Sequence, residues 1–178
     1  MVNVRFDGKK EAERVAEFLE ESERCLAKTL VIFQCDGRDE ESTYVRLKRE
    51  IGERLGVLVT VDHRSSIVDL RDGIREANGN EMVDGILVQL PVLNYRSTDQ
   101  QVTDLLGIIK TSKDVDGLNP KSHFVPAAVR AVERVIEIFN IDSEQKIALV
   151  GVKGTVGKRI GERLKYLGLE FTGFDKGD

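Results

Sequence analysis

Apolar residues along the chain alternate between two spacings, one typical of amphipathic helices and one typical of buried strands. Residues 9–27 place apolar side chains at helical intervals between charges, whereas residues 30–33 form a short run of branched and aromatic side chains. Such a run indicates a strand that is buried on both faces. Further helices are predicted over residues 39–55, 65–77, 98–110, 126–139 and 156–167, and further strands over 57–61, 85–90, 146–150 and 169–174.

Strands that alternate with helices predict an α/β fold with parallel strand pairing, since each helix returns the chain to the same end of the sheet. We expect an N-terminal three-layer α/β domain with a parallel sheet over residues 1–122. A partial Rossmann-like domain is expected over residues 123–178. The boundary is placed between about Asn119 and Val125, where a loop rich in turn-forming residues precedes a long helix.

Composition narrows the functional classes. The 178 residues are 40% apolar and 33% charged, which is typical of a soluble globular protein. The formal net charge of −4 speaks against a nucleic-acid-binding protein, which usually carries a clustered basic face. The longest apolar stretch, residues 85–93, contains Gln89 and Pro91 and is far shorter than the ~20 residues that span a bilayer. No membrane association is therefore expected.

The cysteines and histidines predict neither a disulfide framework nor a metal site. Cys25 and Cys35 are the two cysteines of the chain, without a CxxC motif, and we expect reduced thiols in a cytoplasmic protein. His63 and His123 lie far apart and neither has a neighbour at metal-ligand spacing.

A glycine-rich segment with Gly151, Gly154 and Gly157 joins a predicted strand to a predicted helix. In that context glycines permit close approach of the backbone to a phosphate, and the helix start offers free N–H groups. Asp175 follows about 20 residues later, where an NAD ribose is held in Rossmann folds. Because Val152 interrupts the standard GxGxxG spacing, a simple tight connection explains the glycines equally well.

Tyr44 and Lys48 lie four residues apart on a predicted helix and therefore on one face. A lysine that is partly buried against an aromatic ring has a lowered pKa and becomes a usable proton donor and acceptor. Gln89 interrupts an apolar strand near its carboxyl end, where open α/β sheets bind ligands. Taken alone, the pair also fits a solvated helix face, and Asp114 and Asp116 in the following loop also fit a stabilised turn.

Three segments, considered together, point to one family. They are YVRLK at residues 44–48, DGILVQLP at 84–91 and KDVDGLNP at 113–120, and their content, order and spacing resemble the methylenetetrahydrofolate dehydrogenase/cyclohydrolase family. The sequence DGK at residues 7–9 resembles the opening of that family, and residues 150–157 resemble its nucleotide turn. The resemblance spans nearly the whole chain.

The resemblance implies an enzyme of one-carbon metabolism that oxidises 5,10-methylenetetrahydrofolate with a nicotinamide dinucleotide and hydrolyses the methenyl product to 10-formyltetrahydrofolate. It implies that Lys48 is the central acid and base of hydrolysis, that Gln89 tunes it, and that Tyr44 orients it while packing on the folate. Asp116 would bind the N–H groups of the pterin, Asp114 would support the loop, and Pro91 would line the substrate site. A homodimer is also implied.

The resemblance further implies NAD or NADP as cofactor, bound by Gly151, Lys153, Gly154, Gly157 and Asp175. The family carries an arginine and a serine for the NADP phosphates where this chain has Val152 and Lys153. A carboxylate at Asp175 would accept a hydrogen bond from a ribose 2′-OH and repel a 2′-phosphate, so NAD is favoured.

Other departures concern Glu41 and the length of the chain. Glu41 stands where the family has a serine. The chain reaches Asp178 after two strands of the nucleotide domain, as a fragment or a natural short form, and weak dinucleotide binding is expected. Hydrolysis is thus better supported than oxidation. A non-catalytic binding or assembly module is the alternative, while the three segments argue against an unrelated Rossmann-like dehydrogenase.

Overall fold

The computed structural model describes residues 5–38, 40–93, 100–175 and 177. Helices and strands alternate along these residues as predicted, and their strands pair in parallel, which confirms the α/β class. In chain order the elements are α1 (Gly8–Ser22), β1 (Thr29–Gln34), α2 (Thr43–Arg54), β2 (Leu58–His63), α3 (Ile67–Gly79), β3 (Gly85–Gln89), α4 (Gln100–Leu106), α5 (Ala127–Phe139), β4 (Ile147–Val150), α6 (Thr155–Tyr166) and β5 (Phe171–Phe174).

The first sheet has the strand order β2-β1-β3, with β1 in the centre. On one face, Ile32 and Leu87 pack with Val45 of α2, and on the other, Phe33 and Ile86 belong to the main core. The alternating side chains of the strands therefore bury both faces, which explains their continuous apolar runs. This arrangement of helix, sheet and helix is the three-layer domain that the pattern predicted.

Helices α3 and α4 bury the residues that the spacing placed inward. The Ser66 hydroxyl caps α3 by accepting a hydrogen bond from the Asp69 N–H at 3.2 Å. Leu70 and Ile74 are fully buried, and so are the apolar positions of the α4 region, Val102, Leu105, Leu106 and Ile109. The predicted start of that fourth helix, Thr98, lies outside the described residues.

Helix α2 differs from the prediction in its start and in its buried face. It begins at Thr43 rather than at residue 39, because Ser42 caps it. The spacing of apolar residues predicts a buried stripe of Tyr44, Leu47, Ile51 and Leu55. Tyr44 and Leu47 are instead 71% and 51% exposed, while Val45 and Gly52 are buried. A Cβ at Gly52 would lie 2.6 Å from a Val59 methyl group, so close approach to β2 selects this face of the helix.

The second sheet pairs β4 with β5 in parallel; α6 packs against β4, and α5 packs against α6. Leu164 of α6 is buried, as is Leu169 just before β5. Helix α5 also contacts the N-terminal region, where Arg134 Nε donates to Glu11 at 2.6 Å. Among the described helices, none combines the length and the apolar composition needed to cross a membrane.

Candidate active site

The carboxyl ends of β1 and β3 lie side by side in the first sheet. In the order β2-β1-β3 the chain turns to opposite sides of β1, and ligands of open α/β sheets bind where the strand order reverses in this way. Gln34 ends β1 and is paired in register with Gln89, which ends β3. Because Ile32 and Leu87 contact α2, the glutamines two residues further along share the α2 face.

Lys48 extends from α2 to Gln89. Its Nζ donates a hydrogen bond to Gln89 Oε1 at 3.0 Å, and Gln89 Nε2 donates to the Leu90 carbonyl at 2.7 Å, which orients the amide toward the lysine. Burial lowers the pKa of Lys48, and the charge of Asp116 opposes part of that shift. The hydrogen bond therefore holds the amine in one place, and the lowered pKa makes its neutral form more populated than in an ordinary surface lysine.

Asp116 is the second ionisable group of this site. Burial raises its pKa, the Lys48 charge acts in the opposite direction, and Asp114 adds to the rise. Each of the two charges acts on the pKa of the other group, so Asp116 and Lys48 lie near each other. Asp114 is 1% exposed and its Oδ2 accepts the Asn119 N–H at 3.0 Å, so it supports the loop that carries Asp116.

Tyr44 and Pro91 lie at the exposed rim of the site. Tyr44 is one helical turn before Lys48, yet in the described part of the chain the two side chains share no hydrogen bond. The pKa of Lys48 is thus lowered by burial in the protein, with no contribution from the Tyr44 hydroxyl. Pro91 is exposed directly after β3 and is joined to Leu90 by a cis peptide bond.

Gln34 is the register partner of Gln89, and the sequence reasoning did not select it. Its Nε2 donates to the Glu40 carbonyl at 2.8 Å, and its Oε1 accepts the Ser42 N–H at 3.0 Å. The signal that drew attention to Gln89, an amide at the end of an apolar strand, is equally present here. Glu41, at the position of the family's serine, instead accepts a hydrogen bond from Arg49 Nε at 2.9 Å.

The turn between β4 and α6 requires its glycines. Gly151 has φ +83°, and a Cβ at Gly157 would lie 2.0 Å from the Gly151 carbonyl oxygen. Gly154 has no side chain with which to cap the amides at the start of α6. The backbone N–H groups at the start of α6 therefore lack a side-chain cap and can bind the phosphates of a dinucleotide.

Asp175 and Lys153 meet at this turn through the backbone. Asp175 Oδ2 accepts the Lys153 N–H at 2.8 Å, while the Lys153 side chain is exposed. The Gly151 N–H donates to the Phe174 carbonyl at 2.8 Å. The acidic residue predicted at the end of β5 therefore stands directly against the glycine-rich turn.

A cavity of about 400 Å³ separates the end of β3 from the turn. Its lining includes Leu90 on one side and Gly151, Gly154, Gly157 and Ile160 on the other. The glycine-rich turn thus faces the cavity, and Leu90, the residue after Gln89, lines the same cavity. Within the described ranges, no group of three or more His, Cys, Asp or Glu side chains is arranged to hold a metal ion.

Comparison with known proteins gives consistent matches. Residues 6–116 match the family model described as "Tetrahydrofolate dehydrogenase/cyclohydrolase, catalytic domain". The chain is 33% identical over 177 residues to "Bifunctional protein FolD" of Mycoplasma genitalium, covering 96% of this chain and 63% of that protein. It is also 33% identical over 136 residues to the protein of that name from Helicobacter pylori strain J99, covering 68% and 46%. The chain therefore spans less than two thirds of the length of these curated relatives.

Solved structures show the same fold. The Trypanosoma brucei methylenetetrahydrofolate dehydrogenase-cyclohydrolase, complexed with NADP cofactor and inhibitor, superposes with a TM-score of 0.82 at 22% identity, over 97% of this chain and 64% of that one. The NAD-dependent 5,10-methylenetetrahydrofolate dehydrogenase of Saccharomyces cerevisiae superposes with a TM-score of 0.77 at 19% identity, over 93% and 62%.

Proposed function

Since the chain belongs to the tetrahydrofolate dehydrogenase/cyclohydrolase family, we propose that it hydrolyses 5,10-methenyltetrahydrofolate to 10-formyltetrahydrofolate. The observation that carries this proposal is the half-buried Lys48, whose Nζ donates a hydrogen bond to Gln89 Oε1 at 3.0 Å and on which the charge of Asp116 acts. Oxidation of 5,10-methylenetetrahydrofolate is proposed as the second activity of the same site.

Asp116 and Tyr44 are proposed to bind the folate. A carboxylate accepts two parallel N–H groups well, and the pterin ring offers such a pair. The Tyr44 ring is 71% exposed one helical turn from Lys48, which leaves it accessible to pack on a flat ring system. Pro91, two residues after Gln89, would border the ligand.

Lys48 is proposed to move the protons of the hydrolysis. Water attacks the electrophilic methenyl carbon, and a neutral Lys48 amine takes a proton from that water as the C–O bond forms. The resulting ammonium gives its proton to the N5 nitrogen of the folate as the C–N5 bond breaks, which returns the amine to its neutral form. The hydroxyl of the adduct releases its proton to solvent as its oxygen becomes the carbonyl oxygen, and the formyl group stays on N10. The lowered pKa supports this role because one amine must both accept and donate near neutral pH.

A nicotinamide dinucleotide is the proposed cofactor for oxidation, and when bound it would accept a hydride from the methylene carbon of the folate. Gly151, Gly154 and Gly157 would hold its diphosphate at the start of α6, together with the backbone of Lys153. We propose that NAD is preferred over NADP. The Asp175 carboxylate stands against the turn and would repel a 2′-phosphate.

A homodimer and a cytoplasmic location are also proposed. The free thiols of Cys25 and Cys35 support the location, and the resemblance supports the dimer. The division into residues 1–122 and 123–178 is proposed on the strength of the two separate sheets.

Near-ultraviolet absorbance of methenyltetrahydrofolate tests the main activity. Purified protein should accelerate the decay of this absorbance above the uncatalysed rate, and Lys48→Met should return it to that rate. Folate binding without accelerated decay would overturn the proposal and favour a non-catalytic binding module.

A further inference from the structure

The loop between β1 and α2 leads into the helix that carries Lys48, and one side chain, Gln34, bonds to several parts of that loop. Gln34 Nε2 donates to the Glu40 carbonyl at 2.8 Å and to Asp36 Oδ1 at 3.1 Å. Gln34 Oε1 accepts the Ser42 N–H at 3.0 Å. The amide therefore connects the end of β1 to both sides of the loop and to the residue that caps α2.

The Gln34 side chain is 1% exposed, so these hydrogen bonds are made away from water. Both hydrogens of the amide nitrogen and its oxygen have partners, which is the arrangement that a buried amide requires. An apolar side chain of similar size would leave the Glu40 carbonyl and the Ser42 N–H without these partners. The loop would then have to rearrange to reach water or other partners.

The loop is joined to Lys48 through α2. Ser42 is the N-cap of α2, and Lys48 follows six residues later, about 9 Å along the helix axis. Lys48 ends its reach at Gln89, which is the register partner of Gln34 on the neighbouring strand. Gln34 thus bonds to the start of the helix that carries Lys48, and Gln89 bonds to the Nζ atom of Lys48.

We infer that Gln34 is a positioning residue for Lys48, acting through the start of α2. The expected effect on hydrolysis rests on the proposed function. The expected effect on Lys48 does not, because the titration of Lys48 can be measured without folate. A displacement of the helix start by about 1 Å would lengthen the Lys48–Gln89 hydrogen bond beyond its useful range.

The test replaces Gln34 by Met, which is similar in size and lacks both hydrogen-bonding groups. The matched control is Asn78→Leu, since Asn78 is also a buried amide, which bonds the Ile108 carbonyl and the Lys110 N–H, both at 2.8 Å. Its neighbours Ala77 and Ile109 belong to the core on the face of the sheet opposite α2. The pH dependence of Lys48 acetylation by acetic anhydride, followed by peptide mass spectrometry, reports the pKa of Lys48 without any substrate.

We expect both variants to lower the melting temperature. Only Gln34→Met should raise the pKa of Lys48 toward the ordinary lysine value, and only it should lower kcat for methenyltetrahydrofolate hydrolysis by about 10- to 100-fold. The shorter amide of Gln34→Asn should change both quantities in the same direction by less, and it serves if the Met variant does not fold.

An unchanged Lys48 titration in Gln34→Met or Gln34→Asn would overturn the inference, and so would an equal shift in Asn78→Leu. If the wild-type protein shows no hydrolysis but Gln34→Met shifts the Lys48 titration, the proposed function fails while the positioning role stands.

Discussion

Replacing Lys48 by Met removes the group on which the proposed hydrolysis depends while keeping a side chain of similar length. General acid–base groups contribute about 10²–10⁴-fold to rates, which corresponds to roughly 3–5 kcal/mol of activation free energy. Because Gln89 and Asp116 remain in place, folate binding should change far less than kcat. The expected result is loss of the accelerated absorbance decay with a folate affinity near that of the wild type.

The effect of Lys48→Met on stability combines two opposing changes. The variant loses the hydrogen bond to Gln89, which contributes about 1.5–3 kcal/mol when one partner is charged. It also removes a cation whose charged form is disfavoured by burial. We therefore expect a folded variant with a melting temperature close to that of the wild type.

The pH dependence of stability gives an independent check. Since the pKa of Lys48 is lower in the folded protein than in the unfolded chain, the unfolded chain binds more protons. Wild-type stability should then rise with pH between that lowered pKa and the ordinary lysine value of about 10.4, and Lys48→Met should lose this increment. Thermal melts across this range measure it.

Lys10→Met is the matched control, because Lys10 is an exposed lysine of α1. Its hydrolysis rate and its dependence of stability on pH should equal those of the wild type. Wild-type turnover in Lys48→Met would refute the assignment of the acid and base. An identical pH dependence of stability in Lys48→Met and the wild type would refute the argument that burial lowers the pKa of Lys48.

Three further predictions concern binding and the turn. Asp116→Ala should weaken folate binding by about 1.5–3 kcal/mol in calorimetry. It should also lower the pKa of Lys48 further, since the Asp116 charge raises that pKa. Equal folate affinity in the variant and the wild type would exclude the pterin role. Titration with each dinucleotide should show a preference for NAD that Asp175→Asn reduces, whereas tight NADP binding by the wild type would contradict the reasoning from charge. Gly157→Ala should cost about 1–3 kcal/mol of stability by overpacking the turn and should abolish dinucleotide binding. Its control is Gly79→Ala, whose Cβ would meet no atom within 4 Å and which should have neither effect.

Local sequence pattern was sufficient for the order and type of the elements and for part of the site. Residues 30–33 form a buried strand because their side chains are apolar on both faces, and no distant information is needed to see this. Gln89 stood out because an amide in such a strand must find a partner. In the structure that partner is Lys48, which lies 41 residues earlier in the chain and donates a hydrogen bond to Gln89.

The covered face of α2, the cause of the Lys48 pKa and the anchoring of the loop were decided only by tertiary structure. Spacing shows which residues share a helix face, but the sheet decided that Val45 and not Tyr44 is buried. Lys48 owes its lowered pKa to burial beneath elements brought together from distant parts of the chain. Gln34 contacts Ser42 because the loop after β1 folds back over the carboxyl end of the sheet, and spacing along the chain does not show that return.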